Sequence, residues 1–151
     1  MKNLSNAIIP LMCYIKTGDS IILQADNGKY LSRINRGVDD PIEAAKDNSD
    51  IYCEFKVTVL NDNKIVLQAD NGKYLSRINR GSKDPIEAAK ASPDVYCQFT
   101  VTSLPDGKLA LRADNGKYLS RIYWVPTKID AIEAAKPDID EYSQFAIRKA
   151  R

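Results

Sequence analysis

The sequence predicts an all-β chain of twelve strands folded as a β-trefoil, on three observations: a decapeptide repeated without change, a fixed interval between its copies, and four strand-like segments per interval. Ala-Asp-Asn-Gly-Lys-Tyr-Leu-Ser-Arg-Ile stands at 25–34, 69–78 and 113–122, each copy 44 residues after the last. A period of this length signals one supersecondary unit used three times, and units too small to bury a hydrophobic face alone bury it against one another. The units run approximately 21–64, 65–108 and 109–151, after an N-terminal extension at 1–20, and 1–151 is expected to be one domain. Between the first two units 32 of 44 positions are identical. Core packing tolerates hydrophobic exchange when volume is kept, so identity at polar positions reflects either recent duplication or a ligand shared by equivalent sites.

Each element follows from local chemistry. In the second unit Ile65 to Ala69 is apolar and partly β-branched, Asp70-Asn71-Gly72-Lys73 is a turn centred on Asn-Gly, and Tyr74 to Ile78 alternates, which together predict a hairpin. Asn79 to Pro85 is a loop by its glycine, proline and asparagine. Ile86 to Lys90 has helix-forming residues, but five residues between breakers are too few for a stable helix and are expected to form a short strand. After a loop at Ala91 to Asp94, Gln98 to Leu104 alternates as a fourth strand, and Pro105 to Lys108 turns the chain into the next unit. Four strands in each of three units give a six-stranded barrel closed at one end by three hairpins, which removes exposed edges. A propeller of four-stranded blades would have only three blades, below the usual range of about four to eight. Residues 1–20 fall outside the twelve-strand count; Cys13 to Lys16 either pairs as an extra strand or mediates a dimer.

Composition narrows the function. The net charge is +2, from 22 basic and 20 acidic residues that are interspersed, with no basic block for nucleic acid. Histidine is absent, which removes Ser-His and Cys-His catalysis, histidine metal sites and a histidine pH switch. No nucleophile-base pair is evident, so an enzyme is not expected, and neither a metal nor a cofactor is. Cys53 and Cys97 share a repeat position with Ser143, and Cys13 echoes it; they read as small buried hydrophobes in a reducing compartment. No run has the length of a membrane span and the N-terminus matches a signal peptide poorly, so a cytoplasmic protein is expected.

Asp-Asn-Gly-Lys-Tyr-Leu, followed by a short strand such as Ile-Glu-Ala-Ala and an aromatic strand such as Gln-Phe-Thr-Val, resembles the repeat of fascin-like trefoils and of the agglutinin domain of amaranthin-type plant lectins. The Gly-x-Tyr-Leu turn is also similar to that of fibroblast growth factors. The resemblance covers residues 21–151 and implies, besides the fold, binding of galactose-type glycans or, in the manner of fascin, of actin filaments. The Gln-x-Trp signature of ricin-type lectin trefoils and the histidine-rich loops of hisactophilins are missing.

The repeated polar residues are the candidate site. Leu31, Ile34, Ala44, Phe55 and their copies are core, and Gly28, Gly72 and Gly116 serve the turn. Asp26, Asn27 and Lys29, with Asp70, Asn71 and Lys73 and with Asp114, Asn115 and Lys117, either fold back on that turn or face a ligand. Tyr30, Tyr74 and Tyr118 either pack under their hairpins or present a ring to a sugar. Arg33 with Glu43, Arg77 with Glu87 and Arg121 with Glu133 are expected on neighbouring strands, as cross-strand ion pairs or as a shared grip on vicinal hydroxyls. Lys46, Asp50 and Tyr52 are rim candidates. Asn35 and Asn79 open the following loop in the first two units; the third carries Tyr123-Trp124-Val125-Pro126 there, with the only tryptophan and a loop two residues longer. Three adjacent large residues cannot all point inward, so Trp124 is expected to be exposed, for sugar stacking or a subunit contact. The leading expectation is a non-enzymatic lectin whose up to three weak sites bind clustered glycans or glycoconjugates tightly through effective concentration. The alternative is an actin-binding or cross-linking protein, and a third possibility is an inhibitor or receptor ligand acting through one loop.

Overall fold

The computed structural model describes residues 14–150. Twelve strands follow in chain order: β1 Ser20–Gln24, β2 Tyr30–Arg33, β3 Ile42–Lys46, β4 Phe55–Val59, β5 Lys64–Gln68, β6 Tyr74–Arg77, β7 Ile86–Lys90, β8 Phe99–Ser103, β9 Lys108–Arg112, β10 Tyr118–Trp124, β11 Ile129–Lys136 and β12 Phe145–Lys149. Antiparallel pairing runs β1 to β4, β4 to β5, β5 to β8, β8 to β9, β9 to β12 and β12 back to β1, which closes a six-stranded barrel. The remaining strands form three hairpins, β2 with β3, β6 with β7 and β10 with β11, which cover one end. This is the β-trefoil that the repeat predicted.

The hairpins meet around the pseudo-threefold axis. Ala131 pairs with Glu43, Pro41 with Glu87 and Pro85 with Glu133, so the third strand of each unit touches its counterparts in the other two. Backbone bonds from Ala88 to the Asp40 carbonyl and from Ala134 to the Asp84 carbonyl, both 2.9 Å, fasten these contacts. Beneath them one core runs through all three units, built of equivalent sets: Phe55, Phe99 and Phe145; Leu23, Leu67 and Leu111; Leu31, Leu75 and Leu119; Ile42, Ile86 and Ile132. No unit encloses its own share: each set takes one residue from every unit.

The decapeptide turn has the expected form. Gly28 N–H donates to the Ala25 carbonyl at 3.0 Å with φ of 81°, a left-handed conformation that glycine adopts without a Cβ penalty, and Gly72 and Gly116 repeat it. Cys53, Cys97 and Ser143 are fully buried, and burial pushes both thiols above their ordinary pKa. Cys13 lies outside the described residues. Tyr14, Ile15 and Lys16 form no strand; Ile15 is buried in the core and Lys16 N–H donates to Asp19.

One local element was not anticipated, and one reading needs correction. The loops before the fourth strands contain single 3-10 turns at Ile51–Cys53, Val95–Cys97 and Glu141–Ser143, each capped by an aspartate that accepts from the amide two residues on. In the third unit Tyr123 and Trp124 belong to the strand rather than the loop: β10 and β11 pair as far as Trp124 with Ile129, leaving a tip of 125–128. The run Ile-Tyr-Trp-Val has high strand propensity, and this unit lacks the Asn-x-Gly that ends the hairpin strand in the others.

Candidate functional site

The triplicated arginines grip the next unit, not their own. Arg33 makes a two-pronged bridge to Asp70, Nε to Oδ1 at 2.7 Å and Nη2 to Oδ2 at 2.8 Å, and its Nη1 reaches Asp40 at 2.9 Å. Arg77 does the same with Asp114 and Asp84, and Arg121 with Asp26 and Asp130. Each guanidinium therefore ties its hairpin to the Asp-Asn-Gly turn of the following unit, and the third bridge returns to the first. These arginine side chains are only 11%, 12% and 15% exposed. The hydrogen bonds to Asp70, Asp114 and Asp26, against the cost of burial, hold all three well above the ordinary arginine pKa.

The expected pairing of Arg33 with Glu43 is thus corrected. In the β2–β3 register Ser32 faces Glu43 and Arg33 faces Ile42, which sends the arginine to the opposite face from the glutamate. The same register separates Arg77 from Glu87 and Arg121 from Glu133. Behind each arginine lies a tyrosine ring, Tyr52, Tyr96 or Tyr142, with the guanidinium 5.3 to 5.4 Å from its centroid. A lysine, Lys46, Lys90 or Lys136, stands 4.9 Å from the same ring and bonds Asp50, Asp94 or Asp140. The lysine bond, opposed by burial, depresses the Asp94 and Asp140 pKa values; at Asp50 burial pushes upward but bonds from Lys46, Cys53 and Tyr52 outweigh it.

The other turn residues fold back. Asn27, Asn71 and Asn115 accept from the amides of Lys29, Lys73 and Lys117 at 2.9 to 3.0 Å. Asn35 and Asn79 accept likewise from Gly37 and Gly81. Lys29 bridges to Asp47, whereas Lys73 and Lys117 are exposed. Tyr30, Tyr74 and Tyr118 are half-buried, and Arg148 lies over the Tyr30 ring.

At the axis the arrangement is different. Glu43, Glu87 and Glu133 are each at most 4% exposed and line one bowl of about 340 Å³ floored by Pro41, Pro85 and Ala131. Two of the carboxylates meet arginine: Arg36 Nε and Nη2 bond Glu43 at 2.6 and 2.7 Å, and Arg80 bonds Glu87 at the same distances. Where the third arginine would stand, Trp124 donates its indole N–H to Glu133 at 2.5 Å. Trp124 is 39% exposed, as expected from the run of large residues around it, although it lies in β10 rather than in a loop. Lys83 lies 4.8 Å from its ring centroid. Arg36 and Glu43 also wall an adjoining polar groove with Lys29, Lys128 and Asp130.

The structure thus gathers Trp124 and the three glutamates, from hairpins far apart in sequence, and disperses the other candidates around the perimeter. Arg36 and Arg80 were missed as site residues. Their signal was the column they share with Trp124, in which two arginines give way to an aromatic residue in the third unit.

No protein-family profile and no curated protein sequence matches the chain. Solved structures do. A designed threefold-symmetric protein, ThreeFoil, superposes with a TM-score of 0.71 at 18% identity, over 85% of this chain and 96% of that one. SeviL, solved bound to the asialo-GM1 saccharide, gives 0.66 at 13% identity over 89% of this chain and 100% of that one. The SDF2-like protein from Arabidopsis thaliana gives 0.66 at 11% identity over 87% and 92%. At these identities the likeness is one of fold.

Proposed function

We propose that the protein is a carbohydrate-binding protein whose ligand site is the axial bowl. The observation that carries this reading is Trp124: a partly exposed indole whose N–H is fixed by a buried carboxylate, beside two planar guanidinium groups in a concavity of about 340 Å³. A sugar presents an apolar face and a rim of hydroxyls. Indole and proline surfaces suit the face, and carboxylate and guanidinium suit the hydroxyls through charge-assisted bonds. The volume falls within the roughly 300–1,000 Å³ of small-molecule sites, and the adjoining groove would receive a second residue of a longer glycan. The occurrence of a saccharide complex on the same fold in SeviL is in keeping with this assignment.

A site at each triplicated arginine is less favourable, because a sugar there must displace a two-pronged aspartate. Multivalence, if present, would come from association of chains rather than from three sites on one. The test is a glycan array probed with labelled protein and free sugar as competitor. Competable binding to a coherent group of glycans, lost in Trp124→Ala with the fold retained, is the expected outcome; galactose-terminated glycans would bear out the resemblance to amaranthin-type domains. A blank array would overturn the reading, and filament co-sedimentation would then test the actin alternative.

A further inference from the structure

The bowl has a built-in asymmetry of charge. Threefold repetition places a buried carboxylate at each of three equivalent positions, and in two of them an arginine of the same hairpin neutralises it through paired bonds. At the third the arginine is replaced by tryptophan, which donates one hydrogen bond but carries no charge. Among the described residues no cation pairs with Glu133, although it is buried as deeply as Glu43 and Glu87. The bowl's remaining cation, Lys83, sits over the indole ring rather than at the carboxylate and makes no ion pair among the described residues. A buried carboxylate is costly unless paired, and the strongest partner is a cation that also donates hydrogen bonds.

We infer that the ligand supplies the missing third cation: the sugar taken by the bowl carries a free ammonium group, as an unacetylated amino sugar does, seated against Glu133 beside the Trp124 ring. This rests on the carbohydrate reading of the bowl. The ammonium would bond Glu133 beside the indole N–H, supplying the charge and the second bond that the paired guanidinium prongs of Arg36 and Arg80 give Glu43 and Glu87, with cation–π attraction to the nearby indole adding to the pairing. Long-range attraction does not produce such a preference, because the chain as a whole carries a net charge of +2. The preference is local, made by the exchange of one residue.

The test compares two probes that differ only at nitrogen: the trimer of glucosamine and its fully N-acetylated counterpart, titrated calorimetrically at about pH 6, below the ordinary pKa of an amine. The expected result is at least tenfold tighter binding of the free-amine trimer. Trp124→Arg, which supplies a guanidinium in place of the ligand's ammonium, and Glu133→Gln, which removes the charge, should each bring the two trimers within twofold, with folding checked by thermal melting. Equal binding of the two trimers, or an amine preference that survives in both variants, overturns the inference and leaves the carbohydrate reading standing. The same holds if neither trimer binds while the array is positive. If neither trimer binds and the array is blank, both fall.

Discussion

Two sets of arginines stand three residues apart in the sequence and meet different main partners, although Arg80 also reaches Asp39 of the first unit at 3.0 Å. Arg33, Arg77 and Arg121 are identical in all units and hold neighbouring units together around the perimeter. Arg36 and Arg80 face the axis with Trp124 in the third place, and there the symmetry fails beside an open concavity. Perfect repetition at the perimeter is accounted for by assembly: each unit must present to the next the surface it receives from the last. On the proposed reading, a ligand chemistry of its own arises where one unit departs from the others. The triplicated arginine–aspartate bridges are therefore a guide to cohesion in this chain, and the exception within the repeat marks the proposed binding site.

The largest test removes one perimeter bridge. Arg77→Ala leaves Asp84 and Asp114 without their cation at low exposure, and urea denaturation should show a loss of about 3 kcal/mol, in the range for breaking a buried pair. A loss below about 1 kcal/mol would place the bridge among exposed pairs and dissolve the contrast. At the axis, Arg80→Ala should cost about 2 kcal/mol, less because the arginine is itself 39% exposed but still appreciable because Glu87 is left buried and uncompensated. It should also weaken ligand binding in the bowl, which Arg77→Ala should leave unchanged once folding is corrected for. Trp124→Phe keeps a ring but removes the indole N–H, and should cost about 1 kcal/mol, the net worth of one hydrogen bond.

The smallest effect is in acid. Asp50, Asp94 and Asp140 have folded pKa values below the ordinary aspartate value, so each contributes stability that is full above that value and is lost as pH falls through the depressed one. The melting temperature should be level from about pH 7 to 5 and decline below about 4. Replacing the three aspartates with asparagine should flatten that decline; an unchanged acid limb would assign it to other carboxylates.

Much of the fold was legible because its signals are local. Asn-Gly turns, alternating strands and a 44-residue period depend on neighbours in sequence, and each specified its element. Trp124 was legible as exposed because a run of three large residues has no room to turn inward. The partner of Arg33 was not legible, because Asp70 lies 37 positions away in the next unit, while Glu43 lay nearer and carried the right charge. Only the register, which places Ser32 opposite Glu43, decides between them. The bowl was illegible for a similar reason: its walls come from three hairpins, and their convergence is a property of the closed barrel.

The return of Arg121 to Asp26 makes the perimeter bridges a closed chain with no first member. Backbone connectivity, by contrast, runs in one direction, and the first and last strands of the barrel lie side by side, with the Ala150 amide bonded to the Ser20 carbonyl at 2.8 Å. The order in which the units are threaded is therefore not fixed by the contacts that hold them. A circular permutant that links the end of β12 to the segment before β1, so that Ile15 stays in the core, and that opens at the β4–β5 turn near Asn61 to Asn63, would keep every arginine bridge of the ring, which would close on whichever unit the ribosome finished last.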